Sequence, residues 1–400
     1  MFCVYKESKR ILERPDKSMI SGLTLEEDGV MEIRTSEGHI EVFDALKGVA
    51  ILGVLLIHSG NNVPGELSAI QEAIISNGKK GVQIFFIISA ILVYKSLSNF
   101  YGSQGKGKHC VLAWYKKRFL RLIPLYWLTN LAILLYAGMK PTYASGTHGV
   151  TIFTYITNFL FLHGFYPWHI NAISINWYIG TLAIFILIAP AFFAVINTIW
   201  RAGILFAFSI ILQKIVSLTI ATWDFGADTY VWRDYWEGFS IFEQLPVLSV
   251  GIILYFVLFR YETHLHIKNY FVRKVGQHNA KKIFYLCFIF FGVLIMSEIV
   301  SYANIYIFSV TIAFVIILLF CFPIRIISNK IFVFIGKYSY GIYLFHPLIL
   351  GRINIFISKY MGNTFYNIIL SALIALCICL IASVILTKYY EKNIIKLLDR

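Results

Sequence analysis

Apolar runs of about twenty residues recur along nearly the whole chain, separated by short polar or charged stretches. They lie near 43–60, 81–99, 118–138, 175–198, 202–221, 240–259, 282–301, 303–323, 332–351 and 366–388. A helix needs roughly 20 apolar residues to cross the hydrocarbon core of a bilayer, and backbone that crosses it must satisfy its own hydrogen bonds. The pattern predicts an all-α, polytopic transmembrane helical bundle of about ten spans. One run, Val150 to Phe165, is shorter and holds Thr151, Thr154, Thr157, Asn158 and His163. It is expected to be a re-entrant or interfacial segment near 150–165. Residues 1–42 read as a polar cytoplasmic extension, 43–390 as the integral domain, and 391–400 as a short cytoplasmic tail. Alternation around Ser36-Glu37-Gly38 weakly suggests a small hairpin in the extension.

Charge gives the spans a direction. Lys6, Lys9, Arg10, Arg14 and Lys17 place the start of the chain on the cytoplasmic side. If 150–165 does not cross, the loops carrying Lys106 to Arg118, Arg260 to Lys282 and Arg325 to Lys330 also fall inside, together with Lys388, Lys392, Lys396 and Arg400. The acidic loop with Asp224, Asp228, Asp234 and Glu237 then falls outside. Both ends are expected to be cytoplasmic, in a multi-pass protein of the plasma membrane.

Composition agrees with this class. Hydrophobic residues make up 58% and charged residues 14%, where a soluble domain has about 25% charged. The net charge of +14 therefore reads as loop lysine and arginine, and no nucleic-acid partner is expected. The six cysteines show no zinc spacing, so neither a metal nor a disulfide framework is inferred. No apolar core of a cleavable signal peptide precedes the first span.

Three stretches keep ionisable side chains inside apolar runs, where they are costly. In FDALKGVAILGVLLIHSG, residues 43–60, Lys47 and His58 stand eleven positions apart. That step turns a helix through about 1100°, leaving the two side chains roughly 20° apart and about 16 Å along the axis. His58 is suited to be a general base, since histidine titrates near neutrality. Asp44 stands one turn before Lys47 and is placed to pair with it. In WYKKRFLRLIPLYWL, residues 114–128, Arg118 and Arg121 share a face and run into the span. Two guanidiniums there suit phosphate recognition. In IGKYSYGIYLFHPLI, residues 335–349, Ser339, Tyr343 and His346 form one polar stripe at i, i+4 and i+7. Such a stripe serves either a cavity or contacts between helices. Weaker marks are Ser89-Ala90 in FFIISA, Trp177 and Tyr178 in NWYIG, and Glu243.

Together these stretches resemble the acyltransferase-3 family, integral membrane enzymes that move acyl groups from coenzyme A. The resemblance covers nearly everything after about residue 42. It rests on Lys47 and His58 as a basic residue, ten residues and a histidine. It rests further on FFIISA, where Ala90 stands in place of a usual glycine, on Arg118 and Arg121 with Pro124 and Tyr126, and on Gly336, Ser339, Tyr340, Tyr343, Leu344 and His346. The chain departs from the family in carrying Lys47 where arginine is commoner. It also has Leu182, five residues after Trp177, where many members carry glutamate.

The resemblance implies an O-acyltransferase that takes acyl-CoA, by family habit acetyl-CoA, from the cytoplasm and holds no permanent cofactor. The acceptor would be a hydroxyl of a cell-surface or lipid-linked glycan, reached directly or through a separate extracytoplasmic partner. His58 would be the base. Lys47, Arg118 and Arg121 would bind the donor, and Asp44, Ser339, Tyr343, His346 and Trp177 are candidates to line the cavity. The rival from another class is a glycolipid or small-metabolite flippase that turns over no acyl-CoA. The absence of visible internal repeats weighs against it.

Overall fold

The computed structural model describes residues 35–36, 39–60, 67–104, 108–141, 148–169, 176–297, 305–362 and 364–398. The basic stretch Lys6 to Lys17 lies outside the described residues. The expected hairpin is present in minimal form. Strand β1 (Thr35–Ser36) pairs antiparallel with β2 (His39–Ile40), with Thr35 opposite Ile40 and Ser36 opposite His39.

Among the described residues, all regular structure after the hairpin is helical. The long elements are α1 (Glu41–Gly60), α3 (Gly81–Gln104), α4 (Lys108–Ala137), α6 (Trp177–Val195), α7 (Ile199–Ala221), α9 (Ile241–Tyr255), α11 (Gln277–Met296), α12 (Ile305–Cys321), α14 (Ser339–Met361) and α15 (Phe365–Leu386). Between them lie the shorter α2 (Ala69–Ser76), α5 (Ile152–Phe159), α8 (Thr229–Asp234), α10 (Thr263–Val275), α13 (Lys330–Lys337) and α16 (Lys392–Leu398). Among the described residues nine helical stretches are long and apolar enough to cross a membrane. Each coincides with one of the expected spans. The remaining expected span, 303–323, is represented by α12, whose 17 residues rise about 25 Å. This is a multi-pass helical membrane protein.

Two expected spans change most. The run 332–351 is not one helix. α13 ends at Lys337, Tyr338 leaves helical geometry (φ −104°, ψ 5°), and α14 starts at Ser339. Hydropathy follows apolar character and is blind to a change of direction within an apolar run. The break has a packing cause. A Cβ at Gly336 would run into the Asp44 carbonyl oxygen, and one at Gly48 into that of Phe332. The two glycines thus let α13 lie directly on the backbone of α1, as small residues do where membrane helices approach closely. The second change is at α4, which begins ten residues before the expected 118 because its first turns are polar.

The segment at 150–165 does not span. Thr151 caps α5 in a reciprocal capping box with Thr154. Its 8 residues rise only about 12 Å. Phe161 then takes a left-handed conformation (φ 59°) and reverses the chain.

Burial sorts the spans. Only 11% of the apolar window of Gln277–Met296 and 17% of that of Ile199–Ala221 is covered by protein, against 78% for Gly226–Arg260. α7 and α11 therefore lie at the rim, and α9 lies inside. α1 is enclosed by α3, α13, α14 and α15, so its polar residues face protein.

Candidate active site

A cavity of about 300 Å³ opens beside the first half of α1. Lys47 reaches it from α1, Phe85 and Ser89 from α3, and Arg118 and Arg121 from α4. Tyr178 and Leu182 come from α6, Gly336 and Lys337 from α13, and Ser339, Tyr340 and Tyr343 from α14. Glu391 closes it from a π-helical turn, Thr387–Glu391, that follows α15. A π turn adds a residue to the helical repeat, and such insertions concentrate at functional sites.

The charges are held in distinct ways. The Lys47 ammonium lies 2.6 Å from Asp44 Oδ1, one turn earlier, as the i, i+3 spacing predicts. The Arg118 guanidinium donates from Nη2 to the Leu92 carbonyl (2.6 Å) and lies 5.7 Å from the Trp114 ring. Its Nε is buried without a partner, a donor that an entering oxyanion would satisfy. Glu391 is an electrostatic partner of Arg121.

An aromatic wall closes the deep end. The Tyr178 hydroxyl meets Ser89 Oγ at 3.1 Å, and its ring lies 5.2 Å from that of Tyr343. Behind Tyr343 sits His346, 5.6 Å away ring to ring and wholly buried. His346 Nδ1 lies 2.6 Å from the Tyr343 carbonyl oxygen. A carbonyl only accepts, so Nδ1 carries the proton and Nε2 keeps its lone pair. That Nε2 is buried and unpartnered. The His58 ring lies 5.3 Å from the His346 ring.

The structure thus brings Lys47, Arg118, Arg121, Ser339 and Tyr343 around one cavity and sets a histidine pair behind it. Three of the five expected lining residues stand elsewhere. Asp44 does not line the cavity; it is buried beneath Lys47 as its counter-ion. Trp177 turns away and packs on Phe86 (5.9 Å) and Phe239 (4.8 Å). His346 does not line it either, and His58, expected as the base, stands beside His346. Lys47 and His58 do share a face, but about 16 Å of helix separates them and the Tyr343 side chain stands between the cavity and the pair.

A second cavity, of about 280 Å³, lies at the far end of α1. It is lined by Ser59, by Asn354 and Ser358 of α14, and by Thr364, Asn367 and Ser371 at the start of α15, with isoleucines and glycines between them. Asn354 Nδ2 donates to the carbonyl oxygens of His58 (3.3 Å) and Ser59 (3.5 Å), and its Oδ1 is buried without a partner. Among the described residues no charged side chain lines this cavity. The two cavities therefore flank the histidine pair along one helix.

Sequence reasoning missed Lys337, Glu391 and Asn354. The first two look like ordinary members of basic loops, and Asn354 lies in an apolar run without a motif. It also undervalued the short segment after α4. There the Tyr126 hydroxyl donates to Asn158 Oδ1 (3.1 Å), and Asn176 Nδ2 donates to Asn158 Oδ1 (2.8 Å) and Asn130 Oδ1 (3.1 Å). His163 Nε2 donates to the Asn176 carbonyl (3.0 Å). Burial holds the His163 pKa down to about 4, so the ring is neutral near pH 7. This network ties α5 to α4 and to the residue that opens α6, and so fixes the helix that carries Tyr178.

A family model described as an acyltransferase domain matches residues 40–388. That range begins at the last residue of the hairpin and ends inside the π turn, three residues before Glu391. No curated protein and no solved structure gives a match.

Proposed function

The chain belongs to the acyltransferase-3 family, and from that premise we propose that this membrane acyltransferase moves an acyl group, acetyl by preference, from acyl-CoA to a hydroxyl of a cell-surface or lipid-linked glycan. The observation that carries the reading is the arrangement along α1. A cationic cavity and an uncharged polar cavity lie on either side of His58 and His346.

The donor enters the cationic cavity. Arg118, Arg121, Lys47 and Lys337 match the phosphates of coenzyme A, and the apolar depth between Phe85 and Leu182 suits the pantetheine arm. The thioester then advances past Tyr343 to the histidine pair. The acceptor reaches the same point from the cavity at Ser59 and Asn354, whose amides and hydroxyls suit an uncharged polyhydroxyl compound.

His58 takes the proton of the acceptor hydroxyl as its oxygen attacks the thioester carbonyl carbon. The tetrahedral adduct collapses by breaking the carbon–sulfur bond. The coenzyme A thiolate leaves with the proton that His58 returns, and the acyl group stays on the acceptor oxygen as an ester. A lone-pair nitrogen on the neighbouring His346 ring favours the imidazolium that His58 passes through.

Loop charge supports the orientation, with both ends of the chain and the Lys47 cavity toward the cytoplasm, where acyl-CoA is made, and the Ser59 cavity outward in the plasma membrane. Residues 43–390 form the integral domain in this reading, between the extension and the short tail.

The test is mass spectrometry of envelope glycans from cells with and without the gene, together with coenzyme A release by membranes given radiolabelled acetyl-CoA. An acyl ester lost with the gene, and coenzyme A released only when the chain is present, are expected. Unchanged esters in every envelope fraction without coenzyme A release would overturn the reading in favour of a flippase.

A further inference from the structure

A lateral groove of about 360 Å³ lies between α1, the start of α3, α11 and α12, apart from both cavities of the transfer site. Its walls are aliphatic and aromatic, among them Leu46, Ile84, Phe288 and Ile312. Among the described residues one charged side chain lines it, Lys80, at the end near Ile295 and Met296.

Lys80 is only 6% exposed. Its Nζ donates to the Ile295 carbonyl (2.8 Å), one of the last carbonyls of α11, and lies 5.6 Å from the Phe308 ring. An ammonium has three donors. Among the described residues no carboxylate pairs with it. With a carbonyl and a ring as its partners among the described residues, this buried cation is under-compensated, and an anion would relieve that cost.

The rest of the groove states what else the ligand must carry. It follows α12 from Phe308 to Leu319, a rise of about 16 Å, roughly half of the ~30 Å hydrocarbon core. Gly292 is in its wall, and a Cβ there would meet nothing within 4 Å. α11, which forms that wall, is a rim helix, so the groove gives onto lipid. An apolar channel one leaflet long with a single cation at its end fits an amphiphile with an anionic head.

We propose that this groove is a binding site for an anionic phospholipid, with one acyl chain lying along α12 and the phosphate on Lys80. The site is independent of acyl transfer, and its test does not use activity. Native mass spectrometry of the purified full-length protein with an equimolar mixture of phosphatidylglycerol and phosphatidylcholine reads the preference directly. Wild type is expected to retain phosphatidylglycerol. Lys80→Ala should lose about fivefold of that preference, the worth of one lysine at a lipid surface, while Lys80→Arg keeps it. Gly292→Phe fills the open wall, leaves Lys80 untouched and should reduce retention of both lipids. If Lys80 merely caps α11, Lys80→Ala lowers thermal stability and leaves the preference unchanged. That result, or a Gly292→Phe protein that retains both lipids as wild type does, overturns the proposal.

Discussion

The two ends of α1 carry opposite chemistry. At the Lys47 end the cavity collects Lys47, Arg118, Arg121 and Lys337 with a single carboxylate, Glu391. At the Ser59 end the cavity holds amides and hydroxyls and no charge. A bilayer penalises both kinds of group, so neither set is explained by helix packing alone. A cationic end suits a donor with phosphates, and a neutral end suits an acceptor that offers hydroxyls. The histidine pair between them is where two such substrates would meet. The contrast also separates the variables: a variant at one end should change the dependence on one substrate and spare the other.

The largest such effect belongs to the cationic end. Arg118→Ala with Arg121→Ala should raise the KM for acyl-CoA about 10- to 100-fold, the worth of lost charge-assisted hydrogen bonds. The acceptor dependence should stay as in wild type. A donor truncated to acyl-pantetheine, without the nucleotide phosphates, should not distinguish the variant from wild type. Steady-state kinetics on membranes with both donors checks this, and equal sensitivity with both donors would reduce the pair to anchors.

At the neutral end, Asn354→Ala should cost about fivefold in the acceptor dependence, one neutral hydrogen bond, with the KM for acyl-CoA unmoved. A smaller effect of opposite sign is expected at Glu391. Its carboxylate repels phosphate and engages Arg121, so Glu391→Gln should lower the KM for acyl-CoA about two- to fivefold. A raised KM would mean that Glu391 instead recognises the donor.

Neither end includes the network around His163, and it supplies a control. Its folded pKa, about 4, lies below the ordinary 6.5. The unfolded chain therefore binds the extra proton first as pH falls. This contribution to stability is full above about pH 6.5 and is lost progressively toward pH 4. Thermal unfolding followed across that range should show a decline to which His163 contributes, and His163→Gln should make it shallower without altering either substrate dependence at pH 7.

Hydropathy and loop charge made most of the fold legible. Each of the nine long spans lies where apolar runs predict, and the polar residues of 150–165 marked a segment that does not cross. Legibility failed where backbone geometry decides. The bend at Tyr338 depends on how Gly336 meets the backbone of α1, a three-dimensional fact with no local signature. At the site, helical spacing put Arg118 with Arg121, and Ser339 with Tyr343, on common faces, and the structure keeps those pairs. The same arithmetic put Lys47 and His58 on one face about 16 Å apart, and it says nothing of which cavity each reaches. Sharing a face does not mean sharing a cavity: Lys47 lines the cationic one, and His58 stands with His346. Glu391 was hidden because a π turn, not a motif, brings it to the cavity.

The central claim is that His58 removes the acceptor's proton at the junction of the two ends. Transfer of radiolabelled acetyl from acetyl-CoA to envelope glycan, by membranes holding equal amounts of wild-type and His58→Ala protein, tests it most directly. A loss of about 10²- to 10⁴-fold is expected at saturating donor, with donor KM unchanged. Transfer at the wild-type rate by His58→Ala would contradict it.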